Sequence, residues 1–499
     1  MASRKETDIN RLSKAIAMRN DCPVADKCGG CAYAGKTYFE QFAAKEKRVR
    51  RLISPFCEVE PIHFGENPVY YRNKVHSAFK KLKNGRVICG PYEAGSHRIV
   101  EVDSCLIENR TASAIIRDCA ALAERFNISI YDEVKCRGVL RRVLVRTADA
   151  TGEVMVVLII GNRYFKNKQL FTDELLKLHP EITTLLINLN MRHDSMILGN
   201  GEMKKIKGNG YITDVILGKK FRVSADSFMQ SNHEQAEILY SQAVRLAGFR
   251  GNEVCIDTYC GTGSTTLTFA GFVGSITGVE IKESAYKDAL KNAAINKVNN
   301  ASFVLADATQ YMEEAAKNGA KVDCVILDPT RAGTTSRFIK ACGKLKPDKI
   351  IYISCCPETL ARDLKIFRGQ GYEARVAKPV DMFPWMEKIE TIVVLSKGVD
   401  ISAGKVRVEF SVEDMDLSAA HGNASYNKIK KYVYEKTGLQ VSSLNIAQVK
   451  RKYGIIEREN YNFPKSENSR QPNCTPQKEK AILDALKVFG MNPRQSLEI

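Results

Sequence analysis

The 499-residue sequence contains no apolar run approaching the roughly 20 residues that span a bilayer. Its first twenty residues, Met1 to Asn20, are polar and charged and lack the apolar core of a secretory signal. A membrane-spanning helix is thereby excluded, and a cytoplasmic protein that acts as a monomer is expected. There is no internal repeat, which excludes a solenoid or propeller. Two paired C-x2-C motifs are missing, which weakens a zinc ribbon. The C-x3-C-x2-C arrangement of radical enzymes is absent as well.

What is present is positive charge. The chain carries 75 Lys and Arg against 57 Asp and Glu, a formal net charge of +18 and a pI near 9.2. Such an excess suits a polyanion, because Lys and Arg displace condensed counterions from phosphates. RNA is therefore the expected partner, against the plainer reading of a solubilising surface. Hydrophobic residues make up 44%, enough for large cores, and the length suits roughly two to four domains. Fifteen cysteines in a cytoplasmic chain point to metal binding or catalysis rather than disulfides.

The pattern changes along the chain. Residues 1–67 hold a charged helical lead over 1–20, cysteines at 22–31 and a basic amphipathic helix from Thr37 to Leu52. Its apolar positions are Phe39, Phe42, Val49 and Leu52. Residues 68–225 carry short β-branched runs (Val139–Arg146, Val154–Ile160, Leu185–Asn190), read as a β-rich central RNA-binding domain. From 226 to 398 strands alternate with helices, at Glu253–Asp257, Ser275–Glu280, Ser302–Ala306, Cys324–Asp328, Ile350–Ser354, Glu373–Lys378 and Thr391–Leu395. This is a doubly wound α/β pattern with a parallel sheet. Residues 399–499 read as a basic helical extension with two helices, Tyr426–Gly438 and Leu444–Gly454, and a polar stretch near 459–477. The extension is either an accessory RNA contact or a solvated hairpin.

Strand Glu253–Asp257 runs into Asp257-Thr-Tyr-Cys-Gly-Thr-Gly263, with a helix from about Ser264. Gly261 and Gly263 allow a tight turn and close approach of a ligand beyond the strand's carboxyl end. Glu280 ends the next strand about 20 residues on, where an acid can accept hydrogen bonds from ribose hydroxyls. Asp307 ends a third strand, within reach of an adenine edge. The G-x-G-x-x-G pattern of NAD sites is absent, since position 266 is Thr. An ordinary βα turn is the plain alternative.

Two further strands end in Asp328-Pro-Thr-Arg331 and Ser354-Cys355-Cys356-Pro357, at the same edge. A Pro two residues after Cys355 presents that cysteine at the strand end. Glu390 opens the last strand. Cys355 is the candidate nucleophile and Glu390 the candidate base, although lone cysteines are more often small core residues. Separately, Cys22-x5-Cys28-x2-Cys31 with Cys105 offers four thiolates, whose spacing fits either Zn²⁺ or a [4Fe–4S] cluster.

With these segments the sequence resembles the RNA uracil-5-methyltransferases, class I enzymes dependent on S-adenosylmethionine. It is most similar to the branch that methylates large-subunit (23S) ribosomal RNA and carries an iron–sulfur cluster. The resemblance covers roughly residues 20–398, through Tyr71-Arg-Asn-Lys74, Phe228-Met-Gln-Ser-Asn232, Asp257-Thr-Tyr-Cys-Gly261, Asp328-Pro-Thr-Arg331, Ser354-Cys-Cys-Pro357 and Asp381-Met-Phe-Pro384 followed by Glu390. It implies Cys355 as nucleophile and Glu390 as base. It also implies cofactor contacts from Gln230, Tyr259, Glu280, Asp307 and Asp328, with Gln230 and Asp328 also touching the uracil. A [4Fe–4S] cluster on Cys22, Cys28, Cys31 and Cys105 follows from the same resemblance. The chain departs from the family at Thr330, Cys356 and Lys388, where Pro, Asn and His are usual. The N-terminal β-barrel RNA module of many relatives is not evident.

The chemistry accounts for a cysteine and a carboxylate together. Carbon 5 of uracil is a poor nucleophile, and a thiolate adding at carbon 6 makes it reactive. A base must then remove the carbon 5 proton so that the thiol can leave. Other readings are a transfer RNA uridine methyltransferase, a cytosine-5 or base-nitrogen RNA methyltransferase, and an inactive ribosome-assembly factor. The intact Cys355, Glu390 and glycine turn argue against the last.

Overall fold

A computed structural model of the chain describes residues 14–93, 95–194, 196–201, 203–398, 426–452 and 474–488. Of the expected helical lead, 14–20 fall within this range and 14–17 are helical. The basic helix forms as α1 (Tyr38–Ile53). Thr37 is its N-cap in a capping box with Glu40, which satisfies two of the orphan donors at the helix start. Tyr38, Phe42, Val49 and Ile53 form its buried stripe. Strand β1 (Glu58–Val59) follows. No barrel precedes the central sheet among the described residues.

The central region is a six-stranded sheet of β2 (Lys74–Lys81), β3 (Val87–Gly90), β4 (Leu140–Thr147), β5 (Val154–Ile160), β6 (Ile182–Leu189) and β7 (Met203–Lys207), in the order β3-β2-β4-β5-β6-β7. A hairpin, β8 (Tyr211–Ile216) and β9 (Lys219–Ser224), leads out of it. Helices α2 (Arg110–Arg125) and α3 (Lys168–Leu178) cover one face. There Val143, Val145, Val156 and Leu158 share a core with Ile115, Cys119 and Phe171. The alternate residues Leu144, Met155 and Val157 point the other way, into a core shared with the hairpin and the next sheet. Period-two alternation thus divides β4 and β5 between two cores.

That next sheet holds β10 (Val254–Thr258), β11 (Ser275–Glu280), β12 (Ala301–Leu305), β13 (Cys324–Leu327), β14 (Lys349–Ser354), β15 (Tyr372–Val380) and β16 (Glu390–Lys397). With β1 the order is β1-β15-β16-β14-β13-β10-β11-β12. The helices are α4 (His233–Ala247), α5 (Ser264–Phe269), α6 (Glu283–Ile295), α7 (Ala308–Lys317), α8 (Ser336–Leu345) and α9 (Pro357–Arg368). Val325 and Leu327 enter one core and Cys324 and Ile326 the other. Both faces are covered, and so β13 reads as an uninterrupted apolar run. The expected doubly wound, largely parallel sheet forms with one exception: β16 runs antiparallel to both neighbours, β14 and β15. Its link to β15 is too short for the dozen or more residues that a parallel crossover needs.

Residues 405–499 form a separate unit. Within it α10 (Tyr426–Thr437) and α11 (Ser443–Lys452) match the two expected helices, and a third, α12 (Pro476–Val488), joins them. Ile429, Val433, Ile446, Val449, Ile482 and Leu486 make its core. The polar stretch near 459–477 lies almost wholly outside the described residues.

Candidate active site

Strand register brings the reactive groups together. In the antiparallel β14–β16 pair Ser354 faces Thr391, so Cys355 and Glu390, the next residues outward, sit at one rim. Asp328 follows β13 on the adjoining strand. A cavity of about 520 Å³ opens there, lined by Gln230, Tyr259, Gly261, Glu280, Asp307, Asp328, Cys355 and Glu390. Of the residues singled out in the sequence for the cofactor or the reaction, Gly263 alone stays outside it. A Cβ on Gly263 would lie 3.1 Å from the Phe303 ring, so this glycine serves packing beneath the turn.

The turn itself is shaped by named contacts. Tyr259 adopts a left-handed φ of 65°, which costs a non-glycine residue about 1–3 kcal/mol. Its hydroxyl is held at 3.2 Å from Thr334 Oγ1. The Gly261 N–H donates to Glu280 Oε2 at 2.9 Å, and the Lys282 N–H to Oε1 at 2.7 Å. Glu280 is thereby fixed at the mouth of β11. Asp307 caps α7 by accepting from the Gln310 N–H at 3.0 Å. Gln230 is carried by a segment pinned on two sides. The Asn73 N–H donates to the Ser231 carbonyl at 2.9 Å, and Asn232 donates to the Met382 carbonyl at 3.0 Å.

Burial governs the electrostatics. It pushes Asp328 up to about 7. Glu390 is held well above the ordinary carboxylate range by burial and by Asp328 beside it. Cys355 is pushed up to about 12 by burial, then by Glu390 and Asp328, with Arg331 opposing. Glu390 Oε2 and Asp257 Oδ1 are buried without a hydrogen-bond partner, acceptors left open beside the cavity and under its turn. Cys356 does not line the cavity. Its thiol turns to Glu358 Oε2 at 3.5 Å.

A model of the tRNA (uracil-5-)-methyltransferase family matches residues 37–398, well over half of the chain. The chain belongs to that family. An uncharacterized RNA methyltransferase of Halalkalibacterium halodurans is 37% identical over 379 residues, 75% of this chain and 82% of the relative. One from Clostridium tetani has the same identity and coverage. Among solved structures, the Pyrococcus abyssi tRNA (uracil-54, C5)-methyltransferase in complex with S-adenosyl-L-homocysteine superposes with a TM-score of 0.60. It is 26% identical, over 72% of this chain and 84% of that one. This member of the uracil-5-methyltransferase family is an S-adenosylmethionine-dependent RNA methyltransferase with a class I fold.

The uracil-5-methyltransferase cavity has linings to which sequence reasoning gave no site role: Phe228, Arg331, Phe383 and Lys388, the last noted only as a departure from the family. The first three lie inside segments quoted for the resemblance, so adjacency was an available signal. Lys388 lay two residues before the candidate base.

The four cysteines also meet. Cys22, Cys28, Cys31 and Cys105 line a second cavity of about 210 Å³, together with Cys89 from β3. Burial raises the thiols of Cys28 and Cys31, and pushes Cys105 up to about 12. Among the described residues, no three His, Cys, Asp or Glu side chains are close enough to hold a metal ion as they stand. The donor set fits a thiolate-bound metal or cluster in kind and number.

Proposed function

We propose that the enzyme methylates carbon 5 of a uridine in large-subunit ribosomal RNA through a covalent adduct on Cys355, with Glu390 as base. The observation that carries this reading is the Ser354–Thr391 register, because it gives one thiol and one carboxylate a shared rim over a single cavity. The Cys355 sulfur adds to carbon 6 of the uracil, and the electron pair released into the ring makes carbon 5 nucleophilic. S-adenosylmethionine, when bound, supplies the sulfonium methyl group that carbon 5 takes up. Glu390 then removes the carbon 5 proton, the sulfur–carbon 6 bond breaks and the 5,6 double bond returns. Gln230, Tyr259, Gly261, Gly263, Glu280, Asp307 and Asp328 are the residues assigned to the cofactor, Gly263 indirectly through the turn.

A [4Fe–4S] cluster on Cys22, Cys28, Cys31 and Cys105 is part of the proposal. The convergence of four thiols from two chain segments supports it. So are a cytoplasmic, monomeric enzyme and a division into 1–67, 68–225, 226–398 and 399–499. Transfer RNA is the second reading, favoured by the family description and the Pyrococcus abyssi relative.

Cys355→Ala is expected to abolish methylation while cofactor binding persists, and Cys356→Ala to leave substantial turnover. Glu390→Gln is expected to trap a methylated enzyme–RNA adduct on denaturing gels. Exchanged phenotypes of the two cysteine variants would overturn the nucleophile. Near-normal turnover in Glu390→Gln with no adduct would overturn the base. Mapping methyluridine in ribosomal and transfer RNA from cells lacking the gene decides between the two RNAs.

A further inference from the structure

The end of the central sheet remote from the active site carries an exposed surface that the reaction does not use. At the near end of β4 the Arg146 guanidinium donates to the Ser227 carbonyl, and the Thr147 N–H to the Asn73 carbonyl at 2.9 Å, beside the Gln230 segment. The eight residues of β4 place its other end about 25 Å away. Three loops meet there, 130–138, 161–167 and 190–201.

These loops are braced. The Arg141 guanidinium pairs with Glu133 at 2.6 Å and donates to the carbonyls of Asn190 and Arg192 at 3.0 and 2.9 Å. Tyr131 packs where a Cβ on Gly161 would come within 2.2 Å of its ring, so the second loop must carry glycine. Cys136 Sγ and His193 Nδ1 lie 3.4 Å apart across the first and third loops. The platform is therefore preorganised rather than a set of independent loops.

Its charges are sorted. The carboxylates are engaged locally: Glu133 pairs with Arg141, Asp194 with Arg192, and Asp132 accepts from the N–H groups of Val134 and Lys135. Lys135, Arg137, Arg163 and Lys166 are exposed, and among the described residues none is in an ion pair. Between them stands Tyr164, 73% exposed. Unpaired cations flanking an exposed aromatic ring suit phosphates and an unstacked base.

We infer that this platform is a second RNA-binding surface, gripping the substrate RNA at the end of β4 about 25 Å from the Gln230 segment, so that the enzyme takes a folded RNA in preference to a short strand. This rests on the reading that a uridine in RNA is the substrate.

The probes are deproteinised large-subunit ribosomal RNA and bulk transfer RNA from cells lacking the gene, whichever the wild type methylates, and a short single-stranded fragment around the mapped uridine. A variant combining Lys135→Gln, Arg137→Gln, Arg163→Gln and Lys166→Gln is expected to raise KM for the intact RNA tenfold or more. Its log–log salt dependence should flatten by about 0.7–0.9 for each phosphate that is no longer neutralised, with kcat unchanged. KM for the short fragment should stay at the wild-type value. Tyr164→Ala is expected to raise KM for intact RNA without moving the salt slope, because stacking releases no counterions. Unchanged KM and slope on intact RNA overturn the inference and leave the platform to a protein partner. Equal losses on both RNAs overturn it as well. The substrate reading fails separately, if neither ribosomal nor transfer RNA from cells lacking the gene has lost a methyluridine.

Discussion

Lys45 and Asp381 form an ion pair at 2.6 Å in which neither side chain reaches solvent. The pair fastens α1 to the loop 381–389 that delivers Lys388 and Glu390 to the cavity. Gln41 also donates to Asp381 at 2.6 Å, and Lys45 donates to the Phe383 carbonyl at 2.8 Å. The Tyr33 N–H reaches the Trp385 carbonyl at 3.1 Å, and Trp385 Nε1 the Pro68 carbonyl at 2.8 Å. The catalytic loop is thus held mainly by the N-terminal segment.

Breaking that pair from one side strands a buried charge, at about 3–5 kcal/mol. Lys45→Met is expected to lower the denaturant midpoint and methylation together. Adding Asp381→Asn, which keeps an acceptor for Gln41, should recover part of the stability. Trp385 is the sole tryptophan and fully buried, so its fluorescence reports this loop directly. An unchanged midpoint in Lys45→Met would show that the pair contributes nothing net.

The pH dependence follows from the raised thiol. Cys355, pushed up to about 12, is overwhelmingly protonated in the free enzyme at neutral pH, and only the thiolate adds to uracil. Its thiolate fraction grows about tenfold per pH unit, so kcat/KM should climb from pH 6 upward. Asp328, near 7, ionises within that window and adds a negative neighbour, which makes the rise shallower above pH 7. Single-turnover rates between pH 6 and 9 test this. A maximum below pH 7 would mean that thiol deprotonation is not what limits the free enzyme.

Anaerobically purified enzyme is expected to contain about four irons per chain, with broad absorption in the visible, as a [4Fe–4S] cluster requires. Cys28→Ser or Cys105→Ser should lose the iron and shift Trp385 fluorescence, since Cys31 lies two residues before the Tyr33 that binds the Trp385 loop. Stoichiometric zinc without iron in the anaerobic protein would reassign the site.

Much of this was legible because the signals were local. Ser275–Glu280 appears at its expected bounds, and the other strands from β10 to β16 lie within a few residues of theirs, while the short edge strand β1 was not expected. The helix expected from Thr37 by its apolar spacing forms with Thr37 as its N-cap. The antiparallel direction of β16 was less legible, since an apolar run carries no direction and only the short 381–389 link constrains it. Helix α12 was hidden because Pro476 follows a polar, proline-containing stretch, yet proline is favoured at the first helical position. Cys89 joins the cysteine cavity from a strand whose neighbours are set by tertiary packing, which no spacing rule reads. Lys388 and Arg331 required the register of separate strands before their common cavity existed.

Residues 405–499 offer the last test. They form their own unit with their own core, and the family match ends at 398, before this unit begins. Every candidate catalytic residue and both cavities lie outside it. Lys436 and Lys480 are exposed on it, while Lys452 is bound to Glu479 at 2.7 Å between α11 and α12. Truncation after Gly404 should therefore leave turnover at saturating RNA and the Trp385 unfolding midpoint unchanged. RNA affinity should fall, and its log–log salt slope should flatten by roughly one unit for each phosphate the unit had neutralised. Binding to phosphates adds affinity without sequence choice, so the methylated position should stay the same. The opposite pattern, a lowered midpoint with an unchanged salt slope, would show that the unit stabilises the enzyme and leaves the RNA untouched.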